Sequence, residues 1–163
     1  MGKIKMNFKE WLAQQGTDER READRQRAVE HWTDLAAELF AQMIRWLALD
    51  DMQKLLKVSS SKVVREEQGL GRYEAPTLSI HLRDQVVDLI PVARNVVGAI
   101  GARGDLGFRA EGRIDMANGP DKFMLYHAVY PTEKRWVMVD DDTYTVRPLD
   151  KDNFEAALQD LFS

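Results

Sequence analysis

Residues 28–47 constrain the fold more than any other segment, because their polar side chains crowd onto one side of a helix. At about 100° per residue, five polar side chains share one arc: Glu30, Asp34, Glu38, Gln42 and Arg45. The apolar side chains take the rest, roughly 180° or more against the roughly 100° typical of a surface helix. Such a helix must be covered from two directions, and one sheet face can cover only one of them.

The residues before position 62 predict helices. Residues 7–14 form a short amphipathic pattern that stops near Gly16, and Thr17 then has the character of an N-cap. A long helix follows over about 18–49, and Met52, Leu55 and Leu56 favour another turn or two as far as Lys57. Residues 62–68 are compatible with either a helix or a strand.

After Gly69 and Gly71 the hydrophobic period changes from 3.6 to 2, which is typical of half-buried strands. We predict α+β architecture. It consists of a helical part (1–58), an antiparallel meander of about five to seven strands within 62–149, and a short C-terminal helix (150–163), together one domain. Recurring glycines predict a loop near residues 98–107, and Asp150 or Asp152 caps the last helix.

Composition narrows the classes of function. The chain has no cysteine, so thiolate metal sites and disulfides are excluded, and we expect a cytoplasmic protein without a membrane span. Eight acidic and four basic side chains from Glu133 onward account for the whole net charge of −4. The arginines near position 25 alternate with acids, which is typical of a solvated helix rather than of a nucleic-acid surface.

Two polar groups are candidate sites. His81, Glu111, Arg113 and Tyr126 are predicted on the outer face of the sheet, where His81 and Glu111 would form an acid–base pair if their strands were neighbours. Asp140, Asp141 and Asp142 are adjacent, so their side chains point in different directions. We interpret these aspartates as a solvated hairpin turn on an acidic surface, and we expect no metal site and no cofactor.

The over-wide apolar face of residues 28–47 predicts a protein interface at Trp32, Leu39, Met43 and Trp46. The alternative is that the chain covers this face itself, by folding back residues 8–12 or 52–56. The pattern favours a non-catalytic cytosolic interaction module of the adaptor, immunity or chaperone type, which binds a protein partner or a second copy. The other hypothesis is a small-ligand-binding or enzymatic domain with a pocket between the curved sheet and the long helix.

Overall fold

A computed structural model describes residues 6–96 and 107–163. It contains a long N-terminal helix, seven strands and a short C-terminal helix, which confirms the predicted α+β architecture. The helices are α1 (Phe8–Asp50) and α2 (Lys151–Phe162). The strands are β1 (Leu56–Glu67), β2 (Gly71–Leu82), β3 (Gln85–Ala93), β4 (Arg109–Asn118), β5 (Asp121–Val129), β6 (Lys134–Asp140) and β7 (Val146–Pro148). The loop predicted near residues 98–107 lies outside the described residues, apart from Gly107.

Helix α1 is continuous over 43 residues, so the break predicted near Gly16 is wrong. One glycine costs a helix only about 1 kcal/mol relative to alanine. The Thr17 hydroxyl does not cap a new helix but donates to the Ala13 carbonyl, 3.0 Å away, one turn earlier. The true N-cap is Asn7, whose side-chain oxygen accepts from the Glu10 amide at 2.8 Å.

The helix ends at Asp50, and the further turn predicted as far as Lys57 is also wrong. The Asp51 carboxylate accepts hydrogen bonds from the Leu55 amide at 2.8 Å and the Leu56 amide at 2.9 Å. Lys54 adopts a left-handed conformation with φ 55°. The chain therefore reverses within five residues and starts β1 at Leu56. Residues 62–67, whose sequence suits either a helix or a strand, are part of that strand.

The seven strands form one antiparallel sheet in sequence order. Strand β2 pairs with β3 only from Leu78 to Leu82, so the rest of the β1–β2 ribbon is free to curl toward α1. There Arg25 donates from Nη1 to the Leu70 carbonyl at 2.7 Å. The two glycines of the β1–β2 turn, Gly69 and Gly71, both have positive φ, which such a turn requires.

The main core lies between one sheet face and the two helices. On this one face, the buried side chains of β2–β6 pack against both α1 and α2. The residues that α2 contributes are Phe154, Ala157, Leu158 and Leu161. Asp150 is the N-cap of α2, as the sequence predicted, and its carboxylate accepts from the Asn153 amide at 2.8 Å. The α2 helix packs against the end of α1 that carries Trp46, because Phe154 of α2 contacts the Trp46 ring.

The opposite sheet face is not uniformly polar. A second apolar cluster is buried there on β5, β6 and the residue before β4, consisting of Phe108, Met124, Tyr126, Ala128, Val137 and Val139. Strand β5 is thus buried on both faces over residues 124–128. The expectation of one apolar and one polar face is wrong for this half of the sheet.

Candidate functional site

The structure buries most of the predicted interface inside the chain. Trp32, Leu39 and Met43 belong to the main core, and none of them is more than 6% exposed. Trp46 is half-buried, with its ring centroid 5.7 Å from that of Phe154 on α2. These side chains are covered by the sheet and α2 within one molecule, which corrects the expectation that they present a surface to a partner.

The alternative, that residues 8–12 or 52–56 cover the second side of the long helix, is wrong about which residues do so. Residues 8–12 are part of α1 itself, and the apolar side chains of residues 52–55 remain largely in solvent, whereas Leu56 at the start of β1 packs partly buried against the main core. Phe8 is 71% exposed, Trp11 48%, Leu12 49% and Met52 83%. The second side of α1 is covered instead by α2, which lies about a hundred residues further along the chain.

The four residues of the predicted polar site are not brought together. His81 lies on β2 with its Nε2 3.3 Å from the Ser59 hydroxyl. Glu111 instead accepts a hydrogen bond from Lys134 Nζ at 2.9 Å, and this contact lowers the pKa of the Glu111 carboxyl. No His81–Glu111 contact forms, so the proposed acid–base pair is wrong.

Arg113 and Tyr126 are neighbours, and each also contacts a side chain of its own strand. The Arg113 guanidinium carbon is 5.9 Å from the Tyr126 ring centroid, and Arg113 is paired with Asp115 through contacts of 2.8 and 3.1 Å. The Tyr126 hydroxyl donates to Met124 Sδ at 3.6 Å. Burial raises the pKa of Tyr126, so its hydroxyl stays protonated and packed in the second apolar cluster.

The three adjacent aspartates form a hairpin turn, as interpreted from the sequence. Asp140 Oδ1 accepts from the Asp142 amide at 2.8 Å and the Thr143 amide at 3.3 Å, closing the turn between β6 and β7. Among the described residues, no group of three or more histidine, aspartate or glutamate side chains could hold a metal ion. The turn is an acidic surface feature in which Asp142 is exposed and Asp140 and Asp141 are partly exposed.

An open groove of about 460 Å³ runs between α1 and the β5–β6 part of the sheet. Its apolar lining is Leu35, Leu39, Trp46, Trp136, Pro148 and Leu149. His127 also lines it, with 7% exposure and an Nδ1 atom that has no hydrogen-bond partner among the described residues. Burial lowers the pKa of His127. The groove is wide and open to solvent.

The most distinctive surface is the N-terminal half of α1. Residues 8–27, which we call the arm, contain no buried side chain, and at about 1.5 Å per residue they extend about 30 Å. Polar contacts within the arm, such as Gln14 to Asp18 at 2.9 Å, support the helix locally. Its tip carries the stacked rings of Phe8 and Trp11, with centroids 5.9 Å apart.

The solvent-facing side of α1 continues the apolar surface of the tip. Ala37, Ala41, Ile44 and Ala48 are exposed in the C-terminal half of the helix. At about 100° per residue they share an arc of roughly 60° with Phe8 and Leu12. We call these six residues the outward stripe. The sequence interpretation missed the stripe because it treated the whole apolar content of α1 as one face.

No helix among the described residues is long and apolar enough to cross a membrane. Comparison of the chain with protein-family models, with curated proteins and with solved structures finds no match.

Proposed function

We propose that this protein is a non-catalytic interaction module of the adaptor, immunity or chaperone type, acting in the cytosol through the exposed side of α1. The observation that carries the proposal is the arm, a 20-residue stretch of helix with no buried side chain and two aromatic rings at its tip. Exposed apolar side chains are ordinary when single, whereas a contiguous group is typical of a binding surface.

The chemistry of the remaining surface agrees with binding rather than turnover. The polar side chains predicted as an acid–base site are separated and engaged in ordinary surface contacts. The acidic turn at residues 140–142 would attract a basic partner and raise its association rate at low salt. Such steering adds speed and selectivity to a contact whose free energy comes from apolar burial on α1.

Affinity capture tests this proposal with a matched pair of variants. The doubly substituted Phe8→Ser/Trp11→Ser protein alters the arm tip, and Val58→Ser/Val64→Ser alters exposed apolar residues on β1. Used as bait in extract of the organism that encodes the protein, the wild type and the β1 variant should retain the same proteins. The arm variant should lose them. Equal retention by all three baits would contradict a role for the arm.

The groove beside His127 supports the second candidate, a small-ligand-binding domain. Its lining of two tryptophans and several aliphatic side chains suits an apolar or aromatic molecule. Titration of the protein with hydrophobic fluorescent probes, followed by a Trp136→Ala variant, tests this alternative. Tight saturable binding that the variant abolishes would favour the ligand-binding function over the interaction module.

A further inference from the structure

The outward stripe is built as two apolar ends separated by a polar middle. Phe8 and Leu12 stand at one end of α1, and Ile44 and Ala48 stand at the other, all on the side that faces away from the core. Between them the same arc carries polar side chains, including Glu19, Gln26 and Glu30. An identical helix lying antiparallel to this one covers both ends at once.

The spacing of the residues selects one register for such a pair. With the two-fold axis beside residue 28, Phe8 of one copy lies across from Ala48 of the other. In the same register Leu12 lies across from Ile44. Small side chains on the stripe, Ala37 and Ala41, allow the two helices to approach closely. The symmetry repeats each contact, so both apolar ends are covered together.

The charges beside the stripe agree with the same register. Arg20 lies in the N-terminal half on the flank that carries Asp34 and Glu38 in the C-terminal half. An antiparallel pair with its axis beside residue 28 places Arg20 across from the turn that holds both acids. In a parallel two-fold pair the flank that carries Arg20 faces the opposite flank of the other copy, so this contact with the two acids does not form.

The ends of the helix favour the same arrangement. The last turn of α1 contains no basic residue of its own at the negative pole of the helix dipole, and its terminal Asp50 is paired with Lys151 of α2. The first turn contains both Lys9 and Glu10 at the positive pole. Antiparallel pairing brings each pole of the helix dipole beside the opposite pole of the other copy, which is favourable.

We propose that a second copy of this chain occupies the outward stripe, forming an antiparallel two-fold dimer of α1 helices centred beside residue 28. This inference rests on the proposed function, whose partner it names. The helix is 43 residues long, so a contact strip about 60 Å long and ~10 Å wide covers roughly 600 Å² per partner. Stable interfaces cover about 800 Å² per partner, so we expect a dimer that dissociates on dilution.

Opposite charges introduced at one apolar end test the register. We expect Leu12→Lys alone and Ile44→Glu alone each to weaken dimerisation by roughly 100-fold, since each change occurs twice in the dimer. The double variant, and an equimolar mixture of the two single variants, should dimerise again because the introduced ammonium would face the introduced carboxylate. Sedimentation velocity over a range of micromolar concentrations measures this, and unchanged circular dichroism controls for folding at these exposed positions.

Introduced disulfides determine the relative orientation of the two α1 helices, because the chain has no cysteine of its own. Positions 12 and 44 of one helix are about 48 Å apart, so a bond between them can only join two chains. Leu12→Cys/Ile44→Cys should give a covalent dimer on oxidation, and Leu12→Cys alone should not. A covalent dimer of the single variant would mean a parallel pair and would overturn the proposal.

The two proposals fail in different ways. A wild-type chain that stays monomeric at all concentrations, or a dimer that neither charged substitution weakens, overturns the antiparallel dimer. If the arm variant of the capture experiment still loses proteins that the wild type retains, the interaction module stands with a different partner. If the dimer forms as described and no protein is captured, self-association is the interaction.

Discussion

The contact between Gly112 and Trp32 gives the sharpest prediction about the stability of this fold. Gly112 lies at an irregularity in the β4–β5 pairing, between Ala110 and Arg113, and has φ 144°. A Cβ atom built there would be 2.3 Å from Trp32 Cζ3, and two further ring atoms would be within 2.9 Å. The buried indole ring therefore packs directly on the glycine backbone.

We expect Gly112→Ala to lower the free energy of unfolding by about 3 kcal/mol or more. The positive φ accounts for roughly 1–2 kcal/mol of this loss, because residues other than glycine rarely adopt such a backbone conformation. Forcing the Trp32 ring out of its packed position adds roughly 1–3 kcal/mol, the typical cost of overpacking a core. The ring cannot yield easily, since Trp32 is 1% exposed.

Denaturant unfolding followed by circular dichroism measures this cost, and a double-mutant cycle assigns it. In a Trp32→Leu background the ring is absent, so Gly112→Ala should cost only the backbone part, roughly 1–2 kcal/mol. An equal cost in both backgrounds would refute the steric argument. A cost below about 1 kcal/mol in the wild-type background would refute both parts.

Three further predictions concern single buried or bonded groups. Burial lowers the pKa of His127 below its ordinary 6.5, so the unfolded chain binds the proton first. The free energy of unfolding should therefore fall as the pH drops from about 7.5 to 5.5, and His127→Phe should flatten that slope. Glu67 accepts hydrogen bonds from the Tyr73 hydroxyl and the Arg94 and Asn95 amides, so Glu67→Gln should cost about 1–3 kcal/mol in urea unfolding. Asp51→Ala removes the acceptor of two amides at the end of α1, and thermal unfolding should register a loss of about 1–2 kcal/mol.

The sheet was predictable from the sequence because its strands alternate and its turns carry distinctive residues. The alternation over residues 77–83 lies within β2, apart from its last residue, and the Asn118–Gly119 turn joins β4 to β5. Strands β5 and β6 differ from the prediction only on their outer face, which is apolar and buried instead of polar. Their apolar runs, residues 123–126 and 136–139, are continuous rather than alternating, which is the pattern of strands buried on both faces.

The boundaries of α1 were not predictable from local propensity. A glycine and a threonine at positions 16 and 17 favour a break, yet the helix passes through both. The helix ends where the Asp51 carboxylate accepts hydrogen bonds from the backbone amides of Leu55 and Leu56, at the point where the chain reverses direction. Leu55 and Leu56 have helical spacing with Met52, but their amides are already satisfied by that carboxylate, so the chain starts a strand instead.

The error about the interface residues has one physical cause, which also explains where the exposed apolar surface lies. A helical pattern tells how much apolar surface must be covered but not which element covers it, and α2 is distant in sequence. Because α2 covers the side that holds Trp46, the apolar residues of α1 that remain uncovered are those that neither the sheet nor α2 reaches. These are the arm tip and the solvent side of the last turns, at opposite ends of one continuous helix. Two separate exposed ends on one rigid element cannot cover each other within a molecule, so a single partner that covers both must reach along the whole helix.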